Sequence, residues 1–323
     1  FQSLGHDFRF WQRQTKSAFD AFNEFEPDIY IGTTYDLDRA TFKCILSRPH
    51  LKVALFASAW GPLVDKIDTK QFPIVVVGNQ EKRLLGELKQ RTGKPYFVFI
   101  HVTHKYLDAT MGGWQEIGIR PVGILNAADL YTFRNARVRE ELKCDVGFVG
   151  GRWPYKARNI DRYILPLCQP HSGLSVKIFG NTERPVPQYL GPCSEEENRD
   201  LSVSATVCPS ISEPHSTTFG FDIVERNFRV PAAGGMLVSD YVDEIDVAFG
   251  KDVVPMARTP NDFQSMVHHY ISNENERVAK IELMQHIVLD NHTYHHRVAQ
   301  ILNELGELDE AVKAIQLKDS LLC

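Results

Sequence analysis

Short apolar runs recur along the first part of the chain: PDIYIG (27–32), LKVALFA (51–57), PIVVVGN (73–79), YFVFIHV (96–102) and RPVGILN (120–126). At about four to seven residues each, and rich in β-branched and aromatic side chains, they predict buried parallel strands rather than helices. Between the third and fourth, EKRLLGELKQRTG (81–93) carries apolar residues at helical spacing and stops on a glycine, which predicts a helix. The opening FQSLGHDFRFW reads as a helix end, a Gly-His turn and a short strand. In a Rossmann-like domain such a piece follows a first strand, so the pattern predicts that this domain's first strand precedes residue 1.

After residue 126 the polar stretch AADLYTFRNARVREEL interrupts the alternation and reads as a connection between domains. A second series follows: KCDVGFVGG (143–151), SVKIFGN (175–181), SATVCPS (204–210), GMLVSDY (235–241) and DVVPMA (252–257). KARNIDRYILPLC, EENRDL and FDIVERNF are the helical candidates between these strands, and the tail from Thr259 to Asp262 onward is helical. The fold class predicted is α/β with two Rossmann-like domains. Their expected limits are 1–135 and 140–288, with 289–323 as a C-terminal helix and tail.

Composition narrows the function. With 323 residues, 43% of them hydrophobic and 24% charged, the chain has ample core for two domains. A formal net charge of −5 argues against a general attraction to nucleic acid or an anionic membrane. No apolar run approaches the roughly 18 residues that a bilayer span needs, and no signal-peptide pattern is present, so a cytoplasmic protein is expected. The six cysteines are scattered without a CxxC pair and read as reduced thiols; no metal-ligand spacing is present.

In open α/β sheets ligands bind at the carboxyl ends of the strands, so the loops after the strands carry the candidate chemistry. After DVGFVG comes Gly-Arg-Trp-Pro-Tyr-Lys-Ala-Arg. Gly150 and Gly151 permit close backbone approach, and Arg152, Lys156 and Arg158 suit a diphosphate, although a glycine turn with solvated cations fits the same residues. Neither a Walker loop nor GxGxxG is present. After ATVCPSIS, the run Ser216, Thr217, Thr218, Phe219, Gly220 is expected to lead into a helix N-terminus whose free amides favour phosphate. Glu225, about one turn further in, has two oxygens that suit the paired hydroxyls of a ribose, or it is a solvent-facing helix glutamate. His101 and His104, which follow YFVFIHV, are base candidates or ordinary loop histidines. Asp36 and Asp38 in GTTYDLDR are base or acceptor-binding candidates. Trp60 suits stacking on a sugar or base, and Trp114 suits packing.

Taken together, DVGFVGGRWPYKAR, VKIFGN, ATVCPS, FGFDIVERNFRVPAAGGMLVSDY and NHTYHHRVAQIL resemble the nucleotide-binding half of a GT-B glycosyltransferase. In particular they resemble the CgeB-like members of the glycosyl transferases group 1 family. The pattern of a helix glutamate, a small-residue run ending in glycine and an apolar strand ending in Ser-Asp matches Glu225, Ala232 to Gly235 and Met236 to Asp240. The Thr-Tyr-x-x-Arg-Val ending matches Thr293, Tyr294, Arg297 and Val298. The resemblance covers residues 143–302; the N-terminal half agrees only through GGWQEIGI (112–119) and NAAD (126–129).

The resemblance implies two domains facing a cleft, with the C-terminal helix crossing back to a first, acceptor-side domain. It implies transfer of a sugar from a UDP-, GDP- or dTDP-sugar, with no essential metal and no cofactor beyond that co-substrate. Glu225 would hold the ribose, Arg152 and Lys156 the diphosphate, and Phe179, Gly180 and Asn181 would border the base. Gly151 and the 216–220 segment complete the expected donor site; Arg152, Lys156, His101 and Asp36 are the catalytic candidates. One departure stands out: Glu-x7-Glu enzymes carry the first of their two glutamates where this chain has Thr217. Stereochemical outcome, oligomeric state and acceptor (glycan, protein, small molecule or modified base) stay open. The alternatives are a GT-B nucleotide-sugar 2-epimerase and an inert nucleotide-sugar-binding module.

Overall fold

The computed structural model describes residues 1–322. The chain divides into two compact units, Phe1–Leu125 with His295–Cys323, and Asn126–Tyr294. The division falls ahead of the expected 135 because the NAAD segment joins the second unit. There Asn126 donates to the Ile223 carbonyl at 3.1 Å and Ala128 bridges Thr293.

In the first unit the order is α1 (Ala18–Phe25), β1 (Ile29–Thr33), α2 (Arg39–Leu46), β2 (Lys52–Phe56), α3 (Asn79–Thr92), β3 (Phe97–Ile100), α4 (His104–Met111) and β4 (Arg120–Gly123). The strands form one parallel sheet in the order β1-β2-β3-β4. Four of the five predicted strands are present. PIVVVGN is not one: Val76 makes a single bridge to Ala59, and Val75 is 62% exposed. Both edges of β2 are already taken by β1 and β3, so this apolar run finds no open ladder beside it and crosses the surface instead. The strand expected within residues 6–11 is also absent, and Trp11 packs edge-on against Phe22.

The second unit runs α5 (Leu130–Phe133), β5 (Cys144–Val149), α6 (Pro154–Ile164), β6 (Val176–Phe179), α7 (Glu195–Ser204), β7 (Ala205–Ser210), α8 (Pro214–Phe219), α9 (Arg226–Ala233), β8 (Leu237–Asp240), α10 (Asp243–Phe249), β9 (Met256–Ala257), α11 (Pro260–Ser272) and α12 (Glu274–Asn291). All five predicted strands are present, parallel, in the order β6-β5-β7-β8-β9. The chain leaves β5 to one side for β6 and returns to the other side for β7. That reversal makes the carboxyl ends of β5 and β7 the topological switch point of the sheet, the usual ligand position in open parallel sheets.

The FDIVERNF segment is not one helix. Gly220 ends α8 at φ 84° and Asp222 stands at φ 75°, so the chain turns twice through the left-handed region before α9 begins at Arg226. Phe228 anchors α9 in the core, stacked on Phe249 at 5.5 Å, and Gly234 closes it at φ 88°. Beyond α12, helices α13 (Tyr294–Glu304) and α14 (Leu308–Leu322) join the first unit. Ile301 and Leu305 pack there with Ala54, Phe97, Phe99 and Val122. No helix among the described residues is long and apolar enough to cross a membrane.

Candidate functional site

The carboxyl edge of the second sheet is built on glycine where β5 and β6 end. β5 ends at Val149 and passes through Gly150 and Gly151 into α6; β6 ends at Phe179 and turns at Gly180. The Gly150 amide donates to the Phe179 carbonyl at 2.9 Å, and a Cβ on Gly180 would stand 2.2 Å from the Gly150 oxygen. Only glycine lets these two turns touch.

Cations surround this junction. Arg226, the first residue of α9, donates to the Val149 carbonyl, and its guanidinium lies 4.7 Å from the Phe148 ring centroid. Arg184, only 4% exposed, donates to the Gly150 carbonyl at 2.6 Å and lies 5.2 Å from the same ring. Lys156, 7% exposed on the first turn of α6, has its ammonium 5.0 Å from the Trp153 ring. Among the described residues, no carboxylate lies within ion-pair distance of these three side chains. Arg184 Nε and Arg226 Nη1 are buried with no hydrogen-bond partner at all.

The electrostatics follow from that crowding. Burial, then repulsion from Arg184, lowers Arg226 to about 10. Burial, then repulsion from Arg152, lowers Arg184. Burial, then repulsion from Arg226, lowers Lys156 to about 8, against the pull of Glu213, Asp222 and Asp240. Asp240, fully buried at the end of β8, is raised by burial to about 6, although both its oxygens accept the Ser212 amide at 3.0 and 3.1 Å. Like charges held together without a counterion, with buried N–H groups unfilled, make a site complementary to a polyanion.

The expected site residues fare differently. Arg152 is not a free cation: Nε and Nη2 grip Asp161 at 3.0 and 2.7 Å, a bidentate pair that neutralises it. Ser216, Thr217, Thr218 and Phe219 lie within α8, and Gly220 ends it; they do not precede a helix. Their amides are spent inside the turn, Ser216 and Thr217 on the Glu213 carbonyl and Gly220 on that of Ser216. The Thr217 and Thr218 hydroxyls donate to the Pro214 carbonyl. Gly151 packs against the Trp153 ring, while Asn181 is exposed beyond the Phe179–Gly180 turn.

Glu225 sits one residue before α9 rather than a turn inside a helix. One oxygen accepts the Tyr294 hydroxyl at 2.6 Å, and the other pairs with Arg229 at 2.7 Å. Its side chain keeps 29% exposure.

In the first unit, Asp36 and Asp38 both bind Arg13, and Asp38 caps α2 through the Thr41 amide at 2.7 Å. Asp36 also accepts the Thr33 hydroxyl at 2.8 Å. The DLD segment is therefore a cap and ion pair, which removes Asp36 as a ready base. His101 Nδ1 lies 2.8 Å from the Ile124 carbonyl, and His104 opens α4. Trp60 is covered by Lys82 at 3.9 Å and meets Trp114 edge-on at 5.5 Å, so it packs rather than presenting a free face.

The sequence matches the glycosyl transferase-like family over residues 133–303, just over half of the chain. No curated protein matches it significantly. Among solved structures, sucrose-phosphate synthase from Thermosynechococcus elongatus superposes with a TM-score of 0.59 at 9% identity, covering 91% of this chain and 77% of that one. Anabaena HepE in complex with UDP-glucose gives 0.56 at 12% identity, covering 92% and 84%. An alpha-glucosyltransferase in complex with UDP-glucose and DNA containing an abasic site gives 0.56 at 10% identity, covering 90% and 84%. These likenesses extend over both units and establish the fold, which is that of GT-B enzymes. With the match over its second unit and tail, the chain belongs to the glycosyl transferase-like family and is a glycosyltransferase of the GT-B fold.

Proposed function

We propose that the chain transfers a sugar from a nucleoside-diphosphate sugar, and that the diphosphate rests against Lys156, Arg184 and Arg226. The observation that carries this reading is the buried, counterion-free cation cluster around Gly150. In the transfer, an acceptor hydroxyl oxygen bonds to the anomeric carbon, the bond from that carbon to the diphosphate oxygen breaks, and the acceptor proton goes to a base. Negative charge grows on the departing diphosphate. Donors fixed in advance and shielded from water stabilise that charge most strongly. Three cations already supply the neutralisation that a divalent metal provides elsewhere, which is the reason for proposing a metal-independent reaction. His101 is the base candidate retained: with Nδ1–H on the Ile124 carbonyl, its Nε2 carries the lone pair.

Glu225 is proposed as the ribose ligand. A carboxylate offers about four acceptor positions, so Tyr294 and Arg229 leave room for two sugar hydroxyls while fixing the group in place. Glu225→Ala is expected to weaken UDP binding about tenfold while leaving pyrophosphate binding unchanged. It should also lower stability by about 1–2 kcal/mol, because Tyr294 and Arg229 lose their partner. Equal loss for both ligands would remove the ribose role.

The reading itself is tested by thermal shift and calorimetry with UDP, GDP, dTDP and pyrophosphate, in the presence of a chelator. UDP comes first because HepE and the alpha-glucosyltransferase hold UDP-glucose in their structures. A nucleotide at a hundredfold its Kd should stabilise the protein by about 2.7 kcal/mol. No shift with any nucleotide or with pyrophosphate would sink the reading, and binding that needs a divalent ion would sink metal independence.

A further inference from the structure

His215, the second residue of α8, is 5% exposed and more heavily engaged than a core histidine requires. Its Nε2 lies 2.9 Å from Asp222 Oδ2, and its Nδ1 lies 3.1 Å from the Tyr155 hydroxyl. The two rings stack at 6.1 Å and 6°. The backbone N–H of His215 donates to the same Tyr155 oxygen at 3.0 Å. That fixed donor leaves the phenol hydrogen free to go to Nδ1, which places the ring hydrogen of the neutral imidazole on Nε2, facing Asp222.

Asp222 is held just as firmly. It stands at φ 75°, a left-handed conformation uncommon for a residue with a side chain. Its amide donates to the buried Glu244 at 2.7 Å, and the Glu244 amide donates in turn to the Gly220 carbonyl at 2.9 Å. Tyr155 adjoins Lys156 on the first turn of α6, so this chain of bonds ties the cation-bearing turn to the segment leading into Arg226.

We propose that Tyr155, His215 and Asp222 form a proton-switched relay, with His215 a positioning residue for the phosphate side of the transfer. It rests on the diphosphate reading for its purpose and on its own geometry for its existence. When the imidazole is neutral, the Tyr155 hydrogen points inward to Nδ1. When solvent delivers a second proton to the ring, Nδ1–H donates to the Tyr155 oxygen, which already accepts the His215 amide. The hydroxyl hydrogen then turns away from the ring and becomes a new donor on the first turn of α6. Only N–H and O–H bonds change, and the proton is returned to solvent in the reverse step. The groups facing the ring are the Asp222 carboxylate, the Glu213 carboxylate at 3.8 Å from Nδ1, and the neutral Tyr155, on whose hydroxyl the Arg158 cation acts; the Phe221 ring at 6.0 Å adds no charge.

The test uses the full chain with 15N-labelled histidine and four variants: His215→Gln to assign the signal, then Asp222→Asn, Asp222→Gly and Tyr155→Phe. The expected spectrum shows the hydrogen on Nε2 in the neutral form. Asp222→Asn tolerates the left-handed backbone and keeps an acceptor for Nε2–H, so the hydrogen should stay on Nε2. Asp222→Gly removes that acceptor and should let the hydrogen distribute over both ring nitrogens. His215→Gln and Tyr155→Phe should each weaken UDP binding about three- to tenfold at acid pH and match the wild type at alkaline pH. A neutral wild-type ring protonated on Nδ1, or a tautomer that Asp222→Gly does not move, overturns the relay. So does a His215→Gln protein with the wild-type pH profile for UDP. If the wild type binds neither UDP nor pyrophosphate while its imidazole behaves as stated, the donor reading falls and the switch itself stands.

Discussion

Replacing Arg226 with methionine is expected to abolish most nucleotide affinity without unfolding the protein. Truncating one partner of a buried, hydrogen-bonded charge pair typically costs about 2–5 kcal/mol of binding, and UDP binding should fall about a hundredfold. Stability should respond in another way. Arg226 is buried beside Arg184 with one nitrogen unsatisfied, and the attraction of Asp240 offsets this only in part, so the wild type holds a charge that folding disfavours. Methionine keeps a stem of similar length and removes that charge, at the cost of the guanidinium contact over Phe148 and the bond to the Val149 carbonyl. These contributions oppose each other, and the ligand-free Tm should stay within a few degrees of wild type. The measurement is a pair of melting curves, with and without UDP. A structural arginine would give the reverse, a large fall in the ligand-free Tm with the UDP-induced shift intact.

Arg226 also shows what could and could not be read from the chain. Nine of the eleven predicted strands are present because strand signals are local: β-branched runs of the right length, bounded by turns. Of the two that fail, PIVVVGN has the same local signal and fails for a reason outside itself, since β2 has no free edge to offer it. The glycines at 150 and 180 were legible as turns, yet their backbone contact was not, because it joins residues thirty positions apart. The same holds for the cations. Arg152 and Lys156 share a motif and were visible; Arg184 lies in the irregular NTERPVPQYL and meets Phe148 only in three dimensions. Arg152 looked free in sequence because its partner Asp161, nine residues on, reads as an ordinary surface acid of α6. His215 carries no local signal, because its partners Tyr155 and Asp222 come from two other segments.

Lys156 carries the second large expectation, and its sign depends on pH. Its folded value, about 8, lies below the ordinary 10.5. Below pH 8 the ammonium is charged in both folded and unfolded chains, and the folded chain bears the full burial penalty. Between about pH 8 and 10.5 the unfolded chain holds a proton that the folded chain has released, so stability rises with pH across that window. Lys156→Met should therefore be more stable than wild type below pH 8, by up to about 3 kcal/mol, and should lack the alkaline rise. Diphosphate binding runs the other way. Only the ammonium attracts the anion, so UDP affinity should fall as pH climbs through about 8, and UDP should restore the proton it needs. Calorimetry in two buffers of different ionisation enthalpy should detect proton uptake on UDP binding near pH 8.5 in the wild type, and none in Lys156→Met. The same substitution should weaken UDP binding roughly a hundredfold at pH 7, the usual scale for removing one partner of a buried charge pair. A wild-type affinity that is flat from pH 7 to 10 would mean that the lysine stands outside the anion site. A gain in stability on Lys156→Met with affinity intact would mean that the cluster is held together for the fold alone.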